Sequence, residues 1–77
     1  MKNSTGYLRK YEMNLSGRET QVIKLLCNGF MDKEISTKMN ISKRTVQTYV
    51  ERLMYKLQTR NRLALVAKYI REYERKK

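Results

Sequence analysis

The chain has no histidine and only one cysteine among its 77 residues. A lone cysteine cannot form an internal disulfide, and Cys27 lies at the end of the apolar run 22–27, which is typical of a buried structural thiol. Without histidine, a cysteine pair or carboxylates at metal-ligand spacing, neither the common metal sites nor the common catalytic arrangements can be built. We therefore expect no enzyme activity, no cofactor and no bound metal.

The chain also lacks a long apolar segment. No stretch approaches the roughly 20 apolar residues that are needed to cross a bilayer, and residues 1–5 are too polar to begin a signal peptide. A single cysteine fits a reducing compartment. These features predict a cytoplasmic protein without a membrane partner.

Acidic residues are scarce, at seven against 18 lysines and arginines, and the formal net charge is +11. A field of this sign attracts polyanions, so nucleic acid is the first partner to consider, and a nucleoid-associated location follows from it. A chain of this length forms one domain, close to the size at which a single hydrophobic core is marginal. We therefore expect its stability to be shared with a second copy in a homodimer.

The first of four predicted helices covers residues 17–28. It begins at a capping box, in which Ser16 and Glu19 each bond the other's backbone N–H. Val22, Ile23, Leu26 and Cys27 form an apolar stripe at helical spacing. Gly29 then supplies the left-handed residue that commonly ends a helix.

A short second helix precedes a longer third one. The second covers residues 32–39, and Asn40 can turn the chain through the left-handed region. Ser42 caps the third helix. The apolar residues of the third helix recur at intervals of four, three and four, and they form a narrow buried seam: Val46, Val50, Leu53 and Leu57. The other faces are polar, cationic or aromatic.

The fourth predicted helix covers residues 61–74, with Asn61 as its cap, and carries two apolar stripes. We assign the first stripe to the core: Leu65, Val66, Tyr69 and Tyr73. The second stripe, Leu63, Ala67 and Ile70, is predicted to form a two-fold dimer contact centred on the small Ala67. The alternative is that both stripes form one broad buried face.

Two helices joined by a tight turn, with the second longer and basic, match the helix-turn-helix pattern. Over about residues 15–70 the chain resembles the LuxR/GerE-type (NarL/FixJ) helix-turn-helix family. The matching positions are Leu15-Ser16-Gly17-Arg18-Glu19, Val22, Gly29-Phe30, Lys33-Glu34-Ile35, Ile41-Ser42, Thr45-Val46, Val50, Lys56-Leu57 and Asn61-Arg62.

The resemblance implies an all-α, four-helix domain that acts in bacterial transcription regulation, with the third helix reading DNA and the fourth forming the dimer. Residues 1–14 are then expected to be a flexible arm, and residues 15–77 the helix-turn-helix DNA-binding domain with its C-terminal dimerisation helix. Most members carry this domain behind a receiver or ligand-binding domain, whereas this chain is expected to be a stand-alone, GerE-like member. RNA polymerase is a further partner to consider.

The third helix contributes most of the expected contacts with double-stranded DNA. Candidate base-reading residues are Gln47, Thr48, Arg44 and Glu51, because amide, hydroxyl, guanidinium and carboxylate groups can bond base edges. Candidate phosphate contacts are Lys33, Lys43, Thr45, Arg52 and Lys56. Val46 is assigned to the core. Arg62 is open between a phosphate contact and an ion pair with Glu19 or another carboxylate.

The chain departs from the family at several positions. Met31 replaces the usual Ser or Thr cap of the second helix, so we expect Asp32 or water to cap a frayed start. Gln58 replaces a Gly after the third helix and would be strained in a left-handed turn, so the turn there is expected to differ. Ser36, Tyr49 and Glu51 also differ from the usual residues. The operator sequence cannot be inferred from relatives.

Three other functions are compatible with the residues. A sigma-factor region-four domain shares the capping box and the Ser-capped reading helix, and would bind RNA polymerase and promoter hexamers. A protein-interaction module that uses a helix-turn-helix is favoured by Glu51 and opposed by the basic surface. A binder of RNA or of membrane surfaces is opposed by the few aromatic residues.

Overall fold

The computed structural model of the chain describes residues 15–74. The arm expected over residues 1–14 and the basic residues 75–77 lie outside this range. The described residues form α1 (Gly17–Cys27), α2 (Asp32–Met39), α3 (Lys43–Leu57) and α4 (Arg62–Tyr69), followed by a π-helical turn (Ile70–Glu74). No strand occurs among them. The predicted all-α fold of four helices is confirmed.

The core forms around α3, which packs against the other three helices. Its predicted seam is fully buried, and α1, α2 and α4 each contribute two or three side chains that face it. The core residues are Val22, Ile23, Leu26, Ile35, Met39, Val46, Val50, Leu53, Leu57, Leu65 and Tyr69. Val46 thus lies in the core, as predicted. Cys27 is half-buried at the edge of this core rather than fully enclosed.

Hydrogen bonds at the N-termini explain where the helices begin. At α1 the Ser16 hydroxyl accepts from the Glu19 N–H at 3.1 Å, and the Glu19 carboxylate accepts from the Ser16 N–H at 2.9 Å, which is the predicted capping box. At α2 the Glu34 carboxylate accepts from the Met31 N–H at 2.7 Å. Glu34 thus supplies one half of a capping box, but the Met31 side chain accepts from none of the first N–H groups of α2, and their capping by Asp32 or water stays a prediction.

Two turns between the helices use left-handed backbone at residues other than glycine. Asn40 has φ 58° and ends α2, as expected. Gln58 has φ 57° and ends α3, so the expectation of a different turn there is wrong. The Thr59 N–H donates to the Met54 carbonyl at 2.9 Å, and the Lys68 ammonium donates to the Leu57 carbonyl at 2.8 Å. These bonds satisfy carbonyls at the end of α3 and offset the left-handed strain of Gln58.

The C-terminal end differs from the single helix that the periodicity predicts over residues 61–74. Regular α-helix ends at Tyr69, and the last turn has the wider π-helical hydrogen-bond register. The rings of Tyr69 and Tyr73 stack across this turn with centroids 5.0 Å apart. Both tyrosines still face the core, so the predicted stripe is kept while the hydrogen-bond register changes. Within residues 15–74, none of the helices has the length and apolar character that crossing a membrane requires.

Candidate nucleic-acid interface

The outward face of α3 carries the four candidate base-reading side chains, and all four are exposed: Arg44, Gln47, Thr48 and Glu51. These residues lie on a different side of α3 from the buried seam, because residues three or four positions apart share one side of a helix. Lys43 and Arg52 are exposed on the same helix, and Tyr55 is 85% exposed near its end. This face combines cations with groups that bond base edges.

Local hydrogen bonds hold the start of α3 in place. The Ser42 hydroxyl accepts from the Thr45 N–H at 3.0 Å and lies 2.9 Å from the Thr45 hydroxyl, so the half-buried Thr45 supports the cap. The Thr48 hydroxyl donates to the Arg44 carbonyl at 3.1 Å. Further along α3, the Arg52 guanidinium lies over the Tyr49 ring, 5.9 Å from its centroid.

Lys33 is exposed on α2, the helix that precedes α3 in the helix-turn-helix. Its carbonyl accepts from the hydroxyls of Ser36 and Thr37, at 2.8 and 3.1 Å. An exposed ammonium on the first helix of the pair can reach a phosphate strand that flanks the groove. The placement of Lys33 is therefore compatible with the role expected of it.

Lys56 is placed differently from the other candidate cations. Its Nζ lies 2.8 Å from Oε1 of Glu19, whose side chain is only 4% exposed. Burial raises the pKa of Glu19, but the hydrogen bonds from Lys56 and from the Ser16 N–H outweigh burial and leave this pKa below its ordinary value. Lys56 therefore neutralises a buried carboxylate and ties α3 to the start of α1, a structural role that the sequence reasoning missed.

Arg62 pairs with Asp32 rather than with Glu19. The guanidinium contacts both carboxylate oxygens, with Nη1 2.7 Å from Oδ1 and Nη2 2.8 Å from Oδ2. The hydrogen bond from Arg62 is the largest influence on the pKa of Asp32 and lowers it, with smaller contributions from Gln47 and Lys43. The question left open for Arg62 is thus answered by an ion pair that joins α4 to α2.

An open cleft lies where the first turns of α2, α3 and α4 meet. Asp32, Lys43, Gln47 and Arg62 line it on the polar side. Its apolar side is formed by Leu26, Phe30, Met31, Leu63 and Val66. The cleft therefore brings a candidate base-reading residue and a candidate phosphate contact together with the ion pair between α2 and α4.

The two stripes of the fourth predicted helix are separated in the structure. Leu65 and Tyr69 are buried, whereas Leu63 is 81% and Ile70 39% exposed, and Ala67 is exposed as well. The alternative of one broad buried face is therefore wrong. An apolar stripe faces outward along α4 and into the π-helical turn.

A helix-turn-helix whose second helix presents cations and base-bonding groups to solvent defines a class of DNA-binding domains. The family model of bacterial regulatory proteins of the luxR family, GerE, matches residues 13–69. The chain belongs to this family, whose members regulate transcription, as the resemblance implied.

The chain is similar to several curated regulators. It is 44% identical over 55 residues to the "Probable transcriptional regulator ycf29" of Cyanophora paradoxa, covering 71% of this chain and 26% of that protein. It is 32% identical over 75 residues to the "Nitrate/nitrite response regulator protein NarP" of Escherichia coli, covering 86% and 35%. It is 40% identical over 52 residues to the "Virulence factors putative positive transcription regulator BvgA" of Bordetella pertussis, covering 68% and 25%.

The chain spans about a quarter to a third of the length of these relatives. No solved structure matches it. The names of the family and of the relatives describe transcriptional regulators and not enzymes.

Proposed function

We propose that the chain is a sequence-specific regulator of transcription that binds double-stranded DNA as a homodimer, with α3 in the major groove. The observation that carries the proposal is the outward face of α3, where Arg44, Gln47, Thr48 and Glu51 are all exposed on the second helix of a luxR-family helix-turn-helix. The major groove admits a helix and presents a distinct bonding pattern for each base pair.

The base-reading residues have different partners. Gln47 can bond adenine with two hydrogen bonds, because its carbonyl accepts from N6 and its amide donates to N7, and Arg44 can donate two hydrogen bonds to O6 and N7 of guanine. Glu51 can accept from the amino group of cytosine, and Thr48 can bond several edges. Each good two-bond contact contributes roughly 1–3 kcal/mol of discrimination against the wrong base.

The phosphate contacts are assigned to side chains on both helices of the motif: Lys33, Lys43, Thr45 and Arg52. These contacts set the register of the protein on the duplex and carry no sequence information themselves. Lys56 is left out of this group because its ammonium neutralises Glu19.

The dimer is assigned to the exposed stripe Leu63, Ala67 and Ile70. A two-fold contact is self-complementary, and the small side chain of Ala67 allows two copies of α4 to cross closely. Two α3 helices related by this axis would enter successive major grooves. The preferred site is then a pseudo-palindrome with half-sites about one helical turn, roughly 10 bp, apart.

We include RNA polymerase as a second partner, because control of transcription involves it. We also propose that the protein is located at the nucleoid in the cytoplasm. Neither catalysis nor a cofactor is part of the proposal. The named functions of the relatives, in nitrate response and virulence, are not extended to this chain.

Selection from a pool of randomised duplexes, followed by binding titrations at several salt concentrations, tests the proposal. We expect enrichment of a two-part site that wild-type protein binds at least about 1,000-fold more tightly than random duplex. Gln47→Ala should relax the preference at one base pair in each half-site, whereas Gln21→Ala, on an exposed position of α1, should leave every preference unchanged. Equal affinity for all duplexes would refute sequence-specific binding.

A further inference from the structure

Asp32 takes no part in the DNA contacts proposed above, although it lies beside the base-reading helix. Both of its carboxylate oxygens contact the Arg62 guanidinium, at 2.7 and 2.8 Å, and its side chain is 17% exposed. Asp32 begins α2 and Arg62 begins α4. The carboxylate is therefore fixed in position by two helices.

One oxygen of this carboxylate has room for a further donor. Oδ1 of Asp32 is enclosed and, within residues 15–74, receives no well-aligned hydrogen bond in spite of its ion-pair contact. A carboxylate oxygen has two lone pairs, so the Arg62 contact at 2.7 Å leaves Oδ1 able to accept from a second donor. Gln47 lines the same cleft and has a neutral amide donor close enough to lower the pKa of Asp32.

We propose that Asp32 is a positioning residue for base reading, because its carboxylate offers an acceptor to Nε2 of Gln47 and so determines which way round the Gln47 amide faces the DNA. This inference rests on the proposed function, in which Gln47 reads a base. Arg62 supports it by holding the carboxylate from the side of α4.

The orientation follows from the donor and acceptor atoms. A carboxylate offers only acceptors, so the NH₂ group of Gln47 turns toward Asp32, while its carbonyl oxygen turns away from the negative charge. One N–H then remains for adenine N7, and the carbonyl remains for adenine N6. Because the two amide atoms cannot exchange places, Gln47 accepts adenine on one strand only. It therefore distinguishes A·T from T·A.

Asp32→Asn keeps the size of the side chain but offers Gln47 either a donor or an acceptor, so both amide orientations become possible. The substitution also removes a negative charge and releases Arg62 for phosphate. We expect the A·T over T·A preference at the Gln47 position to fall at least 5-fold, out of the roughly 5- to 150-fold that a two-bond contact supplies. Affinity for random duplex should rise, with a salt slope steeper by about 1.

Glu34→Gln is the matched control, because Glu34 lies in the same first turn of α2 and its substitution removes the same charge. It should raise the affinity for random duplex without changing the preference at the Gln47 position. In a Gln47→Ala background, Asp32→Asn should leave the remaining preferences as they are. An A·T preference that is unchanged in Asp32→Asn would overturn the inference. So would an equally large loss of sequence preference when Asp32→Asn is added to a protein in which Gln47 is already alanine. A wild type without any sequence preference would instead refute the proposed function.

A measurement without DNA tests the contact itself. In ¹H–¹⁵N spectra of the free protein, the side-chain amide of Gln47 should shift in Asp32→Asn and stay in place in Glu34→Gln. A Gln47 signal that is identical in wild type and Asp32→Asn would contradict the hydrogen bond, whatever the protein's DNA preference. Thermal melts of both variants verify that they are folded.

Discussion

Lys56 either stabilises the fold through its ion pair with Glu19 or contacts DNA phosphate. The substitution Lys56→Ala tests which of these roles it has. The substitution leaves the Glu19 carboxylate, 4% exposed, without its cation. Removing one partner of a fully buried pair costs about 3–5 kcal/mol, whereas exposed pairs contribute about 0–1 kcal/mol. Lys56 itself is 36% exposed, so an intermediate loss of about 2 kcal/mol is expected.

For a domain of this size, 1 kcal/mol corresponds to a change in Tm of roughly 4–8 °C. Lys56→Ala should therefore lower the Tm, measured by circular dichroism, by about 8–16 °C. Lys24→Ala removes the same charge from an exposed position in the last turn of α1 and should change the Tm by only about 2–4 °C, for the roughly ±0.5 kcal/mol typical of surface substitutions.

DNA titrations well below both Tm values complete the test. Lys43→Ala should reduce the salt slope of binding by about 1 and leave the Tm near that of the wild type, since Lys43 is a proposed phosphate contact. Lys56→Ala should leave the slope unchanged. The reasoning is refuted if Lys56→Ala melts like the wild type and loses one unit of salt slope, because Lys56 would then contact phosphate, as its sequence position predicted.

Three further predictions concern acid stability, the turn after α3 and assembly. The pKa values of Glu19 and Asp32 are lowered in the folded state, so both carboxylates contribute fully to the free energy of unfolding at neutral pH. This contribution is lost as the pH falls below their ordinary pKa values of 4.5 and 3.8. The Tm should therefore drop over that range, and less so in Glu19→Gln. Gln58→Gly should raise the Tm by a few degrees, for a gain of about 0.5–1 kcal/mol, because Gln58 has φ 57° and glycine adopts this conformation without strain; an unchanged or lower Tm would contradict this. Leu63→Asp should still fold, since the side chain is 81% exposed in the single chain, but it should sediment as a monomer, melt at a lower Tm because the dimer no longer adds to its stability, and bind the operator more weakly; a variant that stays dimeric would remove α4 from the interface.

The fold could be predicted from the sequence because its main signals are local. Ser16, Ser42 and Asn61 cap helices through bonds to residues three positions away, and the buried seam of α3 repeats within four residues. Such short-range patterns are visible in a single chain. The register change at Ile70–Glu74 was not visible, because the apolar spacing there is the same for an α-helix and for the wider turn.

The candidate site was predictable in its residue types and less so in its contacts. Glu19 and Lys56 are separated by 37 positions, and Asp32 and Arg62 by 30. No periodicity links residues so far apart, and only the packing of the four helices brings them together. Lys56 therefore resembled its exposed cationic neighbours on α3, and Asp32 resembled a helix-capping residue.

Footprinting of the wild-type protein on chromosomal DNA fragments, at near-physiological salt, tests the central claim most directly. The account predicts a limited set of protected sites that share a pseudo-palindrome, with half-sites about 10 bp apart and with major-groove contacts at their centres. Gln47→Ala protein should protect an altered set of sites. Uniform protection along every fragment, fading with salt and identical for wild type and Gln47→Ala, would contradict it, because the basic surface would then bind DNA without reading its sequence.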